Sequence, residues 1–458
     1  MKPLLSKEFS VTQKLCLSFI LVILIGSILL SLPIFHKDTS PQTTYLDHLF
    51  TVVSMVCVTG LSVFPITDVY NVFGQVIALL LIQIGGLGLV TLIALSYFTV
   101  KKKLSLNDQS ILQSSLSQNS SSQLKSYLIS VYYFTFGMEF LAALLLMIDF
   151  IPRFGLKSGI FNAIFLAVSA FCNAGFDNLG SSSLITFQTN TLVNLVIAGL
   201  IIAGGLGFAN WFDIIAVVKD QFREKPYTPF RRFRRLKIQT RLVLQTTGII
   251  LTLGTLVTWL LELQNPNTLG KLPPFHQLLT AFFQTVTMRT AGFATIDYNQ
   301  ALPATNFSFI VQMIIGGAPG GTAGGIKLAC ASLIYLLFRA EFRGERQVTF
   351  SGRSIPEAIM RQVLTILVFF FSVFVIGYFL LLIAEPTLSP FALLFETASA
   401  LATSGVSMNL TSQIGTFGRI VLICLMFIGR VGPITVILSL SQKQKTAVTY
   451  PKTDISLG

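Results

Sequence analysis

Arg289–Thr295 reads RTAGFAT, a polar, glycine-centred stretch set between apolar segments. Three other stretches share its make-up: VCVTGLSV (Val56–Val63), FCNAGFDN (Phe171–Asn178) and LATSGVSM (Leu401–Met408). Their central glycines, Gly60, Gly175, Gly292 and Gly405, lie 115, 117 and 113 residues apart. Ten residues before each stands a phenylalanine (Phe50, Phe165, Phe282, Phe395). Six before stand Ser54, Ser169 and Ser399, with Val286 in the third copy. Such loops offer backbone carbonyls, since glycine permits positive φ and close approach of neighbouring chains. Four of them around one axis would present rings of oxygens that can replace the hydration shell of a monovalent cation. The candidate ion-binding residues are Val58, Thr59 and Gly60; Asn173, Ala174 and Gly175; Thr290, Ala291 and Gly292; and Thr403, Ser404 and Gly405. One such loop alone would suggest close helix packing; the fourfold register argues for a filter, with potassium or a similar ion as its guest.

A second glycine pattern follows each loop. IGGLG (Ile84–Gly88), AGGLG (Ala203–Gly207), IGGAPG (Ile315–Gly320) and IGRVG (Ile428–Gly432) have their first glycines 24 to 29 residues after the loop glycines. The third copy runs Gly316, Gly317, Ala318, Pro319, Gly320, Gly321, Thr322, Ala323, Gly324, Gly325. Each interior glycine costs a helix ~1 kcal/mol and a proline ~3 kcal/mol relative to alanine, so a break is expected here. In the fourth copy Arg430 takes the place of Gly86, Gly205 and Gly317.

Five ionisable side chains fall within apolar stretches: Glu139, Arg289, Lys327, Glu396 and Arg430. Charges at membrane depth are costly and by default mark function. A cation aimed into a cation filter would repel the ion. Arg289 is therefore expected to face away and support the filter, bound to helix-terminal carbonyls or to Glu396. Glu139 is expected to hydrogen-bond a neighbouring helix. Enzyme chemistry finds no support: the five cysteines lack CxxC spacing, and the three histidines (His36, His48, His276) fall near helix ends and are expected to cluster with nothing. No Ser/His/Asp set stands out, and no cofactor is expected in this chain.

The elements that must position these groups are membrane helices. The chain is 53% hydrophobic and only 11% charged, where a soluble domain carries about a quarter charged residues. Runs near Leu15–Phe35, Val72–Val100, Leu192–Val218 and Val363–Ile383 reach or approach the ~20 apolar residues that cross a bilayer. The positive charge gathers in Lys101–Lys103, Lys219–Arg241 and Arg339–Arg361. By the positive-inside rule these loops and both termini are cytoplasmic. That placement argues against nucleic acid; the basic face suits anionic membrane lipid headgroups or an acidic partner, lipid being the plainer reading. Each quarter reads as a long helix, a short re-entrant helix, the glycine loop and a second long helix. The first long helices are expected at Leu15–Pro33, Leu124–Ile151, Leu242–Leu263 and Gln362–Ile383, and the second at Val72–Val100, Leu192–Val218, Phe307–Phe338 and Phe417–Leu440. The reading is an all-α membrane protein of four M1–P–M2 repeats (1–105, 106–222, 223–345, 346–458) around a pseudo-fourfold pore, with eight crossings and four re-entrant helices.

The four loops, IGGAPGGTAGGIK (Ile315–Lys327) and IGRVGP (Ile428–Pro433) together resemble the Trk/Ktr/HKT superfamily of potassium transporters, and most closely its bacterial Ktr-type membrane subunits. The likeness spans Leu15 to Leu440. It implies a potassium filter at the four glycines, potassium being the expected ion because Gly60 is kept where sodium-favouring relatives have serine. It implies a gate formed by Gly316–Gly325 and Arg430, and a homodimer on a cytoplasmic nucleotide-binding RCK-type ring (KtrA-like). It further implies sodium stimulation, for which the sequence offers no site. The rival reading is a sodium- or proton-coupled secondary transporter working by alternating access, since broken helices suit that mechanism too.

Overall fold

The computed structural model describes residues 11–88, 121–180, 182–223 and 233–432. The element order repeats. α1 (Val11–Leu30), α2 (Tyr45–Val56) and α3 (Val72–Leu87) flank the first glycine loop. α4 (Ser121–Phe154), α5 (Leu156–Cys172), α6 (Thr191–Gly205) and α7 (Phe208–Arg223) flank the second. α8 (Ile238–Glu262), α9 (Pro274–Thr287), α10 (Pro303–Ile314) and α11 (Leu328–Phe342) flank the third, and α12 (Glu357–Ala384), α13 (Pro390–Ala402) and α14 (Thr416–Val431) the fourth. A two-residue hairpin, Thr349–Phe350 against Arg353–Ser354, interrupts the otherwise helical pattern expected from the sequence. By length and composition, α4, α8 and α12 can each cross a membrane, and the bent pair α6–α7 passes the same test together.

Local chemistry explains where the helices begin. Thr44 and Asp47 form a capping box on α2, Asn71 accepts from Gly74 N at 3.0 Å to start α3, and Asn190 accepts from Val193 N at 3.1 Å to start α6. Proline opens α9, α10 and α13, where its missing N–H costs nothing. The short helices bury the phenylalanines of the repeat: Phe50, Phe165 and Phe395 are fully buried. In the third quarter Phe283 is the fully buried residue and Phe282 only packs against the core.

The second helices depart from the expected continuous spans. α3 ends at Gly88, φ 77°, and α14 at Gly432, φ 88°. What lies beyond Gly88 and Gly432 in the expected spans to Val100 and Leu440 is outside the described residues. In the second quarter, Gly207 (φ 82°) ends α6, and α7 leaves at 101° to it. A left-handed residue cannot continue a right-handed helix, and glycine adopts it without steric cost. The carbonyls freed at this bend are all taken up. Trp211 Nε1 donates to Ala203 O at 2.8 Å, Asn210 Nδ2 to Leu206 O at 2.8 Å, Thr322 N to Gly204 O at 3.1 Å and Ala318 N to Gly205 O at 2.8 Å. The break expected between Phe307 and Phe338 is present, with α10 ending at Ile314 and α11 starting at Leu328.

Packing closes the chain on itself. α5 packs on α3, α9 on α6 and α13 on α10, and α2 packs on α14, so each short helix rests on the second helix of the preceding quarter and the fourth meets the first. An Asp47–Arg419 ion pair joins α2 to α14 at that last seam. Arg419 Nε also donates to Ile414 O at 2.7 Å, while Asp47 Oδ2 accepts from Thr44 N at 2.8 Å. Nearby, His36 and His48 stack with ring centroids 4.8 Å apart, and His48 Nδ1 lies 2.9 Å from Tyr70 Oη. Two of the histidines therefore do cluster, brought together by the turn between α1 and α2. Arg419→Met removes one partner of a charged pair exposed only 18% and 12%. It is expected to lower unfolding stability by about 1–3 kcal/mol, read as a lower melting temperature of the purified protein in detergent; an unchanged midpoint would contradict a role for this seam.

Candidate functional site

The four glycine loops meet. A Cβ placed on Gly60 would lie 2.8 Å from Ala174 O, 3.2 Å from Gly175 Cα and 3.3 Å from Gly405 Cα. One on Gly175 would lie 2.7 Å from Gly292 Cα and 2.8 Å from Ala291 O. One on Gly292 would approach Ser404 O at 3.1 Å and Gly405 Cα at 3.5 Å, and one on Gly405 would reach Gly60 Cα at 2.8 Å. Each loop thus adjoins the next, and the last adjoins the first. The ring is too tight for any side chain, and carbonyls of the residues preceding the glycines occupy the space between loops.

Backbone conformation repeats with the same fidelity. The glycines have φ of 100°, 70°, 82° and 82°, and two residues before each stands a left-handed non-glycine residue: Val58 (54°), Asn173 (58°), Thr290 (65°) and Thr403 (52°). The residue between them is absent from the positive-φ set, so the hand alternates along each loop. In three loops the peptide N–H before glycine closes on the carbonyl five residues back: Thr59 N to Ser54 O, Ala174 N to Ser169 O and Ser404 N to Ser399 O, each 2.8 Å. Ser54 Oγ accepts from Gly60 N at 3.0 Å, and Ser169 Oγ from Phe176 N at 3.1 Å. The third loop, with Val286 in place of serine, closes instead from Ala291 N to Thr287 O at 2.9 Å. Its tie comes from Gln284, which donates to Thr295 Oγ1 and accepts from the Tyr298 hydroxyl, both at 2.8 Å. α2, α5, α9 and α13 all end within five residues of the glycines, so their partly negative C-termini face the ring.

A cavity of about 310 Å³ opens directly onto the ring, lined by all four glycines together with Asp177, Tyr298 and Thr411. Desolvation holds the Asp177 carboxyl above the usual carboxylate range, at about 6, with the Leu179 N–H and the Ser183 hydroxyl partly offsetting it. Only the second loop carries an acid two residues after its glycine, so the fourfold pattern does not point to Asp177.

On the other side of the loops lies Gly316–Gly325. Ile315 and Ile326 form an isolated bridge, with Gly316 N donating to Ile326 O at 3.0 Å and Ile326 N to Ile314 O at 3.1 Å. The segment between them is folded into a plug of hydrogen bonds. Besides the bonds to Gly204 O and Gly205 O, Gly320 O accepts from Phe208 N at 3.2 Å and Gly317 O from Leu328 N at 2.9 Å. Arg430 donates to Thr322 O and Gly85 O, and to Gly86 O at 3.2 Å. Lys327 Nζ donates to Ala323 O at 2.7 Å. Carbonyls from the first and third quarters thus hold two cations that no carboxylate contacts among the described residues.

Of the two partners expected for Arg289, helix-terminal carbonyls or Glu396, the ion pair with Glu396 is not formed. Glu396 is fully buried, and its Oε1 accepts from the Thr411 hydroxyl on the loop beyond Gly405. Arg289 is 3% exposed, and its Nε and Nη2 have no partner. Glu396 Oε2 likewise has no partner, so the two groups are buried without meeting. The backbone of Arg289 does contribute: its carbonyl accepts from Asn173 Nδ2 at 3.4 Å. Glu139 hydrogen-bonds a neighbouring helix as expected, through Gln83 Nε2 at 3.0 Å.

Comparison with known proteins identifies the class. Residues 8–449 match the TrkH family, described as cation transport protein. The chain belongs to this family. It is 36% identical to the Ktr system potassium uptake protein B of Bacillus subtilis, covering 98% of this chain and 97% of that protein. It is also 36% identical to the potassium/sodium uptake protein NtpJ of Enterococcus hirae, over 100% of this chain and 99% of the relative. The crystal structure of the potassium transporter TrkH from Vibrio parahaemolyticus shares its fold, with a TM-score of 0.76 at 18% identity over 95% of this chain and 86% of that one.

Steric tightness at the ring makes a direct prediction. Gly175→Ala forces alanine into a left-handed conformation, at a cost of about 1–2 kcal/mol, and into contact with Gly292. Gly199 on α6 has open space where a Cβ would go. Thermal denaturation monitored by size-exclusion fluorescence should show a lowered midpoint for Gly175→Ala and an unchanged or raised one for Gly199→Ala; equal midpoints would contradict the ring.

Proposed function

We propose that this chain takes up potassium across the bacterial plasma membrane, by passage of the ion through the ring of glycine loops. In this reading the four quarters are M1–P–M2 repeats around a pseudo-fourfold pore, bounded as 1–105, 106–222, 223–345 and 346–458. α2, α5, α9 and α13 are the re-entrant helices, and both termini are cytoplasmic. The observation that carries the proposal is the closed contact of four left-handed glycine loops, whose carbonyls lie close enough together to replace water around a cation. The filter comprises the three residues ending at each of Gly60, Gly175, Gly292 and Gly405. Arg289 and Glu396 support it from behind, Glu396 through Thr411.

Gly316–Gly325 and Arg430 form the gate. A guanidinium beside a narrow path raises the barrier to a cation where water is scarce, and Thr322 O, Gly85 O and Gly86 O offset the cost of burying it. Opening withdraws the segment and breaks these bonds. Relatives named as parts of a Ktr system support a multi-subunit assembly, which we read as a homodimer on a cytoplasmic RCK-type ring that binds the nucleotide. The Enterococcus hirae relative, named for potassium and sodium uptake, supports a part for sodium.

Two expectations follow for flux in proteoliposomes. Gly60→Ser, which crowds the first quadrant at φ 100°, lowers the Rb⁺/Na⁺ uptake ratio; a normally folded variant with an unchanged ratio would remove the filter assignment. Asp177 lends the vestibule a negative charge above about pH 6 and loses it as pH falls through that value. The half-saturating Rb⁺ concentration should therefore rise about 2- to 5-fold between external pH 7.5 and 5. Asp177→Asn should be raised and flat throughout, and a flat wild-type profile would exclude Asp177 from cation entry.

A further inference from the structure

Two of the left-handed residues that shape the glycine loops also touch the segment beneath. Thr290 Oγ1 accepts from Gly324 N at 3.1 Å. The Thr322 hydroxyl donates to Phe171 O at 3.1 Å, with Asn173 Oδ1 3.4 Å away as a second acceptor. Thr403 approaches as well: a Cβ on Gly324 would overlap its hydroxyl and lie 3.0 Å from Ala402 O. Gly324 is therefore threaded between the third and fourth loops, its N–H on one threonine and its bare α-carbon against the other. Val58, at the matching place in the first loop, has no hydroxyl or amide to offer, and on that side Arg430 bridges Thr322 O to Gly85 O.

The residue types are informative. Asparagine is enriched in left-handed backbone, but threonine there is a steric outlier, and such strain persists where the surroundings over-determine it. Glycine or asparagine would relieve Thr290, whose φ is 65°, yet neither presents a hydroxyl on a short, stiff stem at that spot. The backbone closure of each loop does not need these side chains, since it runs through the bonds to Ser54 O, Ser169 O, Thr287 O and Ser399 O.

We propose that Thr290 and Asn173 are latch residues: their backbones belong to the filter, while their side chains, with the Thr322 hydroxyl, seat Thr322–Gly324 in the closed position under it. This rests on the filter-and-gate reading above and adds the contact through which the two are joined. The latch biases the closed–open balance without changing the carbonyl ring. Removing it from either side, filter or gate, raises maximal flux. A threonine serving only the fold would, when replaced, lower both flux and stability.

Rb⁺ uptake per folded protein, measured on the full chain in proteoliposomes, tests this. Thr290→Val keeps the shape of the side chain but cannot accept from Gly324 N, and should raise maximal flux about 3- to 10-fold, the shift expected when a hydrogen bond of ordinary net strength leaves one state of an equilibrium. Thr290→Ser, which keeps the hydroxyl, should restore wild-type flux. Thr322→Val removes the companion contact, to Phe171 O and Asn173 Oδ1, from the gate side and should also raise flux, which covers the case in which the filter variant does not fold. Flux unchanged or lowered in both valine variants overturns the latch, and so does a gain at Thr290→Val with none at a folded Thr322→Val, because the side chain then acts on the ion and not on the gate. Arg430→Ala separates the two levels of the argument. A gain there without gains in the valine variants rejects the latch and keeps the gate; no gain in any of the three rejects the gate itself.

Discussion

Backbone that leaves the helix inside an apolar surrounding must find hydrogen-bond partners within the protein, and the centre of this molecule is organised by that demand. An unsatisfied peptide group in such a setting costs several kcal/mol. The structure contains four glycine loops, a bend between α6 and α7, and a thirteen-residue interruption between Ile314 and Leu328. Their polar groups are largely satisfied by one another. The bend gives up Gly204 O and Gly205 O, and the interruption supplies Thr322 N and Ala318 N to them. The interruption needs acceptors for Gly324 N and the Thr322 hydroxyl, and the third and second loops supply them. Irregular segments from different quarters are therefore compatible only as a set.

Close approach is the second condition, and glycine meets it at a repeated place. The first glycine of the second helix presses on the short helix of the same quarter, Gly85 on the Val56 carbonyl, Gly204 on that of Phe171 and Gly429 on that of Leu401. Any side chain there would push the short helix, and the loop it carries, away from the ring. The third quarter breaks the pattern, because Gly316 packs instead against Gly324 and Gly325 of its own interruption. That exception is what places a deformable segment, and not a helix, against the loops on this side. Arg430 then enters from the fourth quarter, where a glycine stands in the other three, and binds carbonyls of the first and third. In the proposed function this asymmetry is what lets a fourfold filter carry a single gate.

Much of this was legible in the sequence, because the signals were periodic or chemically extreme. The register of Phe50, Ser54 and Gly60 with their counterparts identified the loops, and no helix tolerates Gly316–Gly325. Other features were visible as residues but not as structure. Gly88, Gly207 and Gly432 each end a motif that reads equally well as helix packing, and only tertiary contacts make them left-handed stops. Glu396 as one of the two partners for Arg289 followed from opposite charge and similar depth, but the fold buries the two apart, and Thr411, remote in any helical periodicity, binds one oxygen of the carboxylate. The stacking of His36 on His48 depends on the turn after α1. The left-handed state of Thr290 and Thr403 runs against the preference of a β-branched residue, so propensity pointed away from it.

The central claim is that the four loops hold a cation between their carbonyls. Crystals of the protein soaked in rubidium or thallium, with anomalous scattering measured at the absorption edge of the ion, test it directly. The account predicts density on the axis of the ring, shared by the carbonyls of Thr59, Ala174, Ala291 and Ser404 and lost when sodium replaces the heavier ion. Anomalous density confined to other sites, with the ring empty at saturating ion, would contradict it.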